Sequence, residues 1–120
     1  MMNVISDSRG FVADLPTDGI RHIAINVIKP GCIKGNHYHK LKNEYFYLAS
    51  GQVVFTLENI KTKTIMVNTL SSPMALAEIP KNHAHKVQNV GESDAVLIQM
   101  ADQLYNNTDS YKYIIPSEVG

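Results

Sequence analysis

Apolar and polar residues alternate along most of this chain in short runs that end at turn-forming residues. Such period-two alternation is typical of β-strands with one buried face, and no segment keeps apolar residues at helical spacing over three turns. The predicted strands are 23–28, 44–48, 52–57, 63–67, 74–79, 85–89 and 95–100. The short link at Ser50 and Gly51 further predicts that the strands on either side of it form a hairpin. Many short strands with regular turns predict an all-β sandwich or barrel.

Polar side chains in the segment 31–51 form a pattern that serves metal binding. His37 and His39 lie two residues apart, so a strand would place both imidazoles on one face. Four residues then allow a turn, after which Glu44 can return to that face, and His85 supplies a fourth donor from a later segment. Three imidazoles and one carboxylate leave coordination positions open, as in catalytic rather than structural sites. This ligand set, without thiolate, suits zinc, manganese, iron or nickel.

The same residues resemble the paired motifs of the cupin superfamily. The first motif is matched by Gly31, His37, His39, Glu44 and Gly51, and the second by Pro80, His85 and Asn89. Asn82 stands where the second motif usually has Gly, and Asn is among the residues that most readily adopt positive φ. The resemblance implies a double-stranded β-helix, or cupin jelly roll, as a single domain over residues 1–120 with a core from about 20 to 102. It places the metal inside the barrel mouth.

Composition narrows the classes of function. The chain has 120 residues, 44% of them hydrophobic, with 11 basic and 11 acidic residues. This size allows one domain with a real core, and the balanced charge without a basic stripe argues against a nucleic-acid partner. The N-terminal residues lack the charged and apolar regions of a signal peptide, and no apolar run is long enough to span a membrane. With Cys32 as the single cysteine, we expect a cytoplasmic protein without disulfides.

A narrower resemblance concerns sugar-modifying enzymes. The segment 7–11, Asp-Ser-Arg-Gly-Phe, looks like one near the start of epimerases of the dTDP-4-dehydrorhamnose 3,5-epimerase type. Segments 29–31 (Lys-Pro-Gly), 35–39 (Gly-Asn-His-Tyr-His) and 44–46 (Glu-Tyr-Phe) are similar to the cupin domain at the C-terminus of capsular-polysaccharide reductase-epimerases. The chain departs from these domains at Lys34, where Arg is usual, and we expect it to act without an attached reductase domain. The resemblance implies an epimerase or isomerase that acts on a keto nucleotide sugar.

The implied mechanism assigns a role to further residues. A metal held by the four ligands would polarise the sugar's carbonyl, and a side-chain base would remove the proton from the adjacent carbon. His83 is the first candidate for this base and Tyr38 the second, although strand alternation directs Tyr38 away from His37. Arg9 and Lys34 are candidates for contacting the nucleotide diphosphate, Arg9 by reaching into a neighbouring subunit's site. Each of these charges is also consistent with an ordinary solvated surface position.

Two other classes of function fit the same ligands. A dioxygenase-type cupin would hold iron and consume oxygen with a small organic substrate, and a non-catalytic cupin would bind a small molecule. Small cupins are commonly homodimers, and Tyr45 and Tyr47, on the face of their strand opposite to Glu44, offer aromatic surface for core or interface packing.

Overall fold

A computed structural model describes residues 3–116 of the protein, which fold into short strands. In chain order these are β1 (Asn3–Asp7), β2 (Gly10–Asp14), β3 (His22–Ile28), β4 (Ile33–Tyr38), β5 (Glu44–Ser50), β6 (Gln52–Asn59), β7 (Ile65–Ser71), β8 (Leu76–Ile79), β9 (His83–Asn89), β10 (Ala95–Ala101) and β11 (Tyr111–Lys112). Every strand pairing in this range is antiparallel. The described range contains no helix long and apolar enough to cross a membrane.

Two sheets enclose the core. One has the strand order β3-β10-β5-β8 and the other the order β11-β4-β9-β6-β7, while β1 and β2 form a hairpin of their own. The side chains buried between the two sheets are those of Ile28, Phe46, Leu48, Val53, Phe55, Leu57, Ala75, Ala77, Ile79, Val87, Ala95 and Leu97. All seven predicted strands are present, with ends shifted by a few residues. The all-β prediction and its jelly-roll form are therefore confirmed.

The predicted hairpin across Ser50 and Gly51 is wrong. Strand β5 pairs with β10 and β8, whereas β6 pairs with β7 and β9, so the chain passes from one sheet to the other at this link. Gly51 has a φ of 101°, and a Cβ there would lie 2.8 Å from the Cα of Ala95. A glycine is required because the chain turns closely against the start of β10. Short turn-forming links mark both hairpins and such corners, so the local pattern does not separate them.

Strands β1, β2 and β11 were not anticipated from the sequence pattern. Strand β4 contains His37 but ends at Tyr38, so His39 follows the strand rather than lying within it. Asn82, which stands where the second motif usually has Gly, has a left-handed backbone with a φ of 60°. The inward placement of Glu44, Phe46 and Leu48 also holds, since Phe46 and Leu48 belong to the core cluster and Glu44 faces the imidazole of His39.

A bulge in β4 decides which of its side chains face the space between the sheets. The register of β4 against β9 shifts between Gly35 and His37, and the residue between them, Asn36, has a φ of 58°. Such an extra residue breaks the two-residue alternation. Lys34 and His37, which are three positions apart, consequently line the same cavity.

Candidate functional site

Three imidazoles converge at one end of the space between the sheets. His37 lies near the end of β4, His39 follows that strand, and His85 lies opposite His37 in the β4–β9 pairing. One ring nitrogen from each lies within 4.8 Å of those of the other two. His39 and His85 are buried, with 8% and 1% of their surface exposed, and His37 is half-buried.

Glu44 begins β5 in the facing sheet and directs its carboxylate at the imidazoles. Its Oε1 lies 3.4 Å from Nε2 of His39 and 3.9 Å from Nε2 of His85. This oxygen is buried and has no hydrogen-bond partner within the described residues. The other oxygen, Oε2, lies 3.4 Å from Nζ of Lys42, whose side chain is also largely buried. The ammonium therefore holds one oxygen and leaves the other free.

The electrostatics of the site favour the neutral imidazole at His37 and at His85. Burial lowers the pKa of His37 to about 4, with smaller contributions from His39 and Lys42. Burial also lowers the pKa of His85 to about 3, assisted by His37 and His39. Removal from water penalises the charged ring, and neighbouring positive charges add to that penalty. Neutral imidazole is the form that coordinates metal ions.

These residues fit a metal ion. Metal–nitrogen bonds of about 2.0–2.1 Å bring two ligand atoms on one ion to roughly 3–4 Å from each other. The separations of Glu44 Oε1 from the His39 and His85 nitrogens fall in that range. A buried carboxylate oxygen without a partner is costly, and a bound cation would satisfy it. The His37, His39 and His85 triad could therefore hold a metal, as the sequence predicted.

A cavity of about 370 Å³ opens beside the imidazoles. Its lining residues are Asn26, Ile28, Lys34, Gly35, His37, Phe46, His85, Val87 and Gln99. Nζ of Lys34 donates a hydrogen bond of 2.7 Å to Oδ1 of Asn26 on β3. The volume lies at the lower end of the roughly 300–1,000 Å³ typical of small-molecule sites. Two of the three triad residues thus share a cavity with uncharged amides and one ammonium.

The other predicted site residues lie elsewhere. His83 lines a separate cavity of about 250 Å³ with Leu57 and Met66 among its neighbours, and its Nδ1 is 2.9 Å from the carbonyl oxygen of Lys81. The ring of Tyr38 stacks on that of Tyr111, with centroids 5.2 Å apart. Their catalytic roles stay predictions. Neither residue lines the cavity beside the triad.

Arg9 lies on the β1–β2 hairpin, and its side chain is 88% exposed. Its Nη2 lies 2.6 Å from Oδ2 of Asp7. The guanidinium accordingly lowers the pKa of the Asp7 carboxyl. Within its own chain Arg9 does not line the cavity beside the triad.

Sequence reasoning missed four residues of this region. Asn26 and Gln99 supply the amides of the cavity wall, and each interrupts an otherwise apolar strand, which was a usable signal. Lys42 was assigned only to a turn, although its charge so near Glu44 could have identified it. Asp109 lies in a tail segment, 105–111, that resembles the end of the capsular cupin domains, but its role was missed because its contacts to residues 39–41 bridge about seventy positions of the chain.

The lowered imidazole pKa values predict a pH-dependent stability for the metal-free protein. The unfolded chain gains protons at these positions near pH 6.5, whereas folded His37 and His85 stay neutral down to about pH 4 and about pH 3. The unfolded state binds more protons in that window, so the free energy of unfolding should fall as the pH falls below 6.5. Above pH 6.5 their contribution is complete.

This dependence can be measured by urea unfolding followed by far-UV circular dichroism, since the chain has no tryptophan. The matched control is the His37→Asn/His85→Asn double variant, which has no proton to gain at either position. We expect a shallower slope of unfolding free energy against pH in the double variant. Equal slopes in the two proteins would contradict the assignment.

Comparisons with known proteins place this fold and site in context. The model of the polysaccharide biosynthesis C-terminal domain family matches residues 5–113. The capsular polysaccharide assembling protein CapF from Staphylococcus aureus is similar in structure, with a TM-score of 0.74 at 27% identity. The match covers 96% of this chain and 35% of CapF, so the chain spans only about a third of that protein's length. No curated protein matches the chain significantly.

Two further solved structures share the fold at lower identity. The rmlC epimerase of Mycobacterium tuberculosis has a TM-score of 0.80 and 17% identity, over 92% of this chain and 65% of that one. QdtA, a sugar 3,4-ketoisomerase from Thermoanaerobacterium thermosaccharolyticum in complex with TDP, has a TM-score of 0.80 and 18% identity, over 92% of this chain and 83% of that one. The cupin jelly roll implied by the two sequence motifs is confirmed.

Proposed function

The chain belongs to the polysaccharide biosynthesis C-terminal domain family, and we propose that it is a metal-dependent epimerase or isomerase of a keto nucleotide sugar. The observation that carries the proposal is the shared cavity: His37 and His85 line it together with Lys34 and two amides. Ligands for a cation and groups for a polar, anionic substrate thus meet in one small space. The epimerase and ketoisomerase with the same fold support this class of reaction.

The metal ligands in this proposal are His37, His39, Glu44 and His85. Zinc, manganese, nickel or iron suits three imidazoles and one carboxylate. When bound, such a metal supplies a Lewis acid that polarises a carbonyl and makes the adjacent C–H bond more acidic. The chain's own part is to keep the ligands neutral or singly charged and aimed at one point. Burial of His85 and the ion pair between Lys42 and Glu44 accomplish this.

Substrate binding falls to the charged groups. Lys34 extends along the cavity to Asn26, and its ammonium can contact a phosphate oxygen as a point charge. TDP bound to QdtA supports a nucleoside diphosphate as the ligand. The cavity is small, so the sugar would occupy it and the nucleotide would extend outside. Lys34 is proposed to hold the diphosphate at this boundary.

Arg9 is proposed to act on the site of a second copy. Its hairpin is not hydrogen-bonded to either large sheet, and an isolated two-stranded hairpin is marginally stable by itself. Strand β3 has three exposed apolar side chains, Ile23, Ile25 and Val27. A homodimer that covers this surface would give the hairpin a partner and bring Arg9 towards a diphosphate.

The proton-transfer base is proposed to be His83, with Tyr38 as the second candidate. Sequence position supports His83, since it lies two residues before His85 and the same strand carries both. A base must come within about 2.6–3.2 Å of the proton it removes, directly or through one water. A His83→Ala variant that binds metal and exchanges at the wild-type rate would exclude this residue.

The proposal is tested by deuterium exchange from ²H₂O into a 4-keto nucleotide sugar, followed by mass spectrometry. We expect metal-dependent incorporation at the carbon next to the ketone. A Lys34→Met variant should weaken nucleotide-sugar binding by about tenfold or more, because a charge-assisted hydrogen bond contributes roughly 1.5–3 kcal/mol. Lys34→Arg should retain most of the affinity, since a positive charge remains.

Lys61→Met serves as the matched control, because Lys61 is exposed and does not line the cavity beside the triad. It should bind and exchange like the wild type. Absence of exchange with every 4-keto sugar tried, in protein fully loaded with metal, would count against the proposed reaction. Equal affinity in Lys34→Met and wild type would remove Lys34 from the binding site.

A further inference from the structure

Asp109 is a buried carboxylate that binds the loop carrying one of the imidazoles. It is 4% exposed and lies in the segment after β10. Its Oδ1 accepts a hydrogen bond of 2.8 Å from the backbone N–H of Lys40. The N–H of Leu41 lies 3.3 and 3.2 Å from the two carboxylate oxygens. Charge-assisted bonds of this kind are stronger than neutral ones.

The backbone carbonyl of the same residue contacts His39 directly. Nδ1 of His39 is hydrogen-bonded to the carbonyl oxygen of Asp109. A carbonyl oxygen only accepts, so Nδ1 must carry the proton, and in the neutral ring Nε2 then presents its lone pair. Nε2 is the nitrogen that lies 3.4 Å from Oε1 of Glu44. The contact therefore sets both the tautomer and the direction of the ring.

The segment that carries Asp109 is attached to β4 at several points. Strand β11 pairs with β4, with Lys112 opposite His37. After β11, the N–H of Tyr113 donates a hydrogen bond of 2.8 Å to the carbonyl oxygen of Asn36. The N–H of Ile115 donates one of 3.0 Å to Oδ1 of Asn36. The carboxylate of Asp109 clamps the other end of this segment onto the loop after β4.

We propose that Asp109 is a positioning residue: its carboxylate clamps the loop after β4, so that its carbonyl fixes His39 as the Nδ1–H tautomer with Nε2 towards the site. This inference rests on the metal centre of the proposed function, because His39 needs to direct Nε2 towards the site only if that nitrogen binds the metal. Partners that orient metal-binding histidines typically contribute about 10–100-fold to metal affinity.

The test compares Asp109→Ala with Asp109→Asn in the 120-residue chain. Long-range ¹H–¹⁵N spectra of protein labelled at histidine, taken without metal at mildly alkaline pH, report the tautomer of each ring. Wild type and Asp109→Asn, whose amide oxygen still accepts from Lys40, should show His39 with the proton on Nδ1. Asp109→Ala should show a mixture of tautomers and bind zinc about 10–100-fold more weakly in chelator competition.

Asp102→Ala is the matched control. Its carboxylate accepts from the backbone and side-chain N–H groups of Asn43, at 2.9 and 3.0 Å, without touching His39. Asp102→Ala removes hydrogen bonds from the same loop but none that touches His39. The His39 tautomer should therefore stay as in wild type. An unchanged tautomer in Asp109→Ala, or the same mixture in Asp102→Ala, would overturn the assignment. Wild-type protein that takes up no metal would refute the proposed metal centre, while the spectra would still decide the role of Asp109.

Discussion

A His85→Ala variant is expected to lose nearly all bound metal. The ring of His85 is 1% exposed, and its Nε2 lies 3.9 Å from the free oxygen of Glu44. Removing it deletes one of four proposed ligands and leaves a buried carboxylate facing a void. Loss of a residue that only orients a ligand typically lowers metal affinity about 10–100-fold. Loss of a ligand itself should lower the affinity further. Elemental analysis of protein purified without a metal-affinity tag measures the occupancy.

His22→Ala is the control for the change of residue type. His22 is a half-buried residue on β3, and its ring packs near that of Tyr105, with centroids 6.3 Å apart. It should keep the wild-type metal content. A His85→Asn variant is closer to histidine in size and polarity, so it separates loss of the ligand from collapse of the site. Thermal melting monitors the fold of His85→Ala and His85→Asn. Full occupancy in His85→Ala would show that the ligands lie elsewhere.

The identity of the metal directs the assay that follows. If the metal is zinc, manganese or nickel, the next assay is deuterium exchange into 4-keto nucleotide sugars. Iron would add a measurement of oxygen uptake, and oxygen consumption without exchange would replace the epimerase proposal with an oxidative one. Wild-type protein that holds no metal and cannot be loaded would contradict the metal centre and leave the imidazoles to act as acids and bases.

A Gly35→Ala variant is expected to be severely destabilised. Gly35 has a φ of 106°, and a Cβ there would lie 2.5 Å from the carbonyl oxygen of His85 and 2.9 Å from the Cα of Lys86. Both are backbone atoms of β9, which cannot retreat without loss of the β4–β9 pairing. The φ alone costs about 1–3 kcal/mol in a non-glycine residue. With the collision we expect a total loss of more than about 3 kcal/mol.

Gly31→Ala separates the two contributions. Gly31 also has a positive φ, of 80°, but a Cβ there meets nothing within 4 Å. It should therefore lose only the conformational part, about 1–2 kcal/mol. Urea unfolding of the two variants gives the difference directly. Equal losses in both would show that β9 accommodates the methyl group, and that the close approach of Gly35 to His85 does not hold the site together.

The affinity for metal should fall further in Gly35→Ala than in Gly31→Ala, as the stability does. The collision in Gly35→Ala falls on the backbone of His85 itself, so any folded fraction should bind metal more weakly than Gly31→Ala. Retained affinity in a folded Gly35→Ala protein would show that the imidazole adapts to a moved strand.

The alternation of apolar and polar residues predicted those features that depend only on residues within one strand. Seven strands and the inward side of Glu44 and Phe46 follow from alternation and residue type, and the structure agrees. The four-ligand set was proposed from the spacing of its residues together with the resemblance to the cupin motifs. The structure brings its three imidazoles within 4.8 Å of one another, and the full set stays a prediction until a metal is measured.

Pairing between strands followed no local pattern. Ser50 and Gly51 are equally suited to a hairpin and to a corner between sheets, and only the partners of β5 and β6 distinguish the two. The bulge at Asn36 likewise becomes visible only against β9. It moves Lys34 to the side of His37, which strict alternation would forbid.

The amino-acid sequence by itself therefore determined the fold class, the strands and the candidate ligands, because side-chain periodicity and motif spacing act over a few residues. Only the tertiary structure decided the walls of the cavity, supplied by Asn26 and Gln99, and the clamp of Asp109 on His39. These contacts join residues up to about seventy positions apart. They depend on which strands and segments pack together, and packing is set by the burial of the whole core rather than by any one segment.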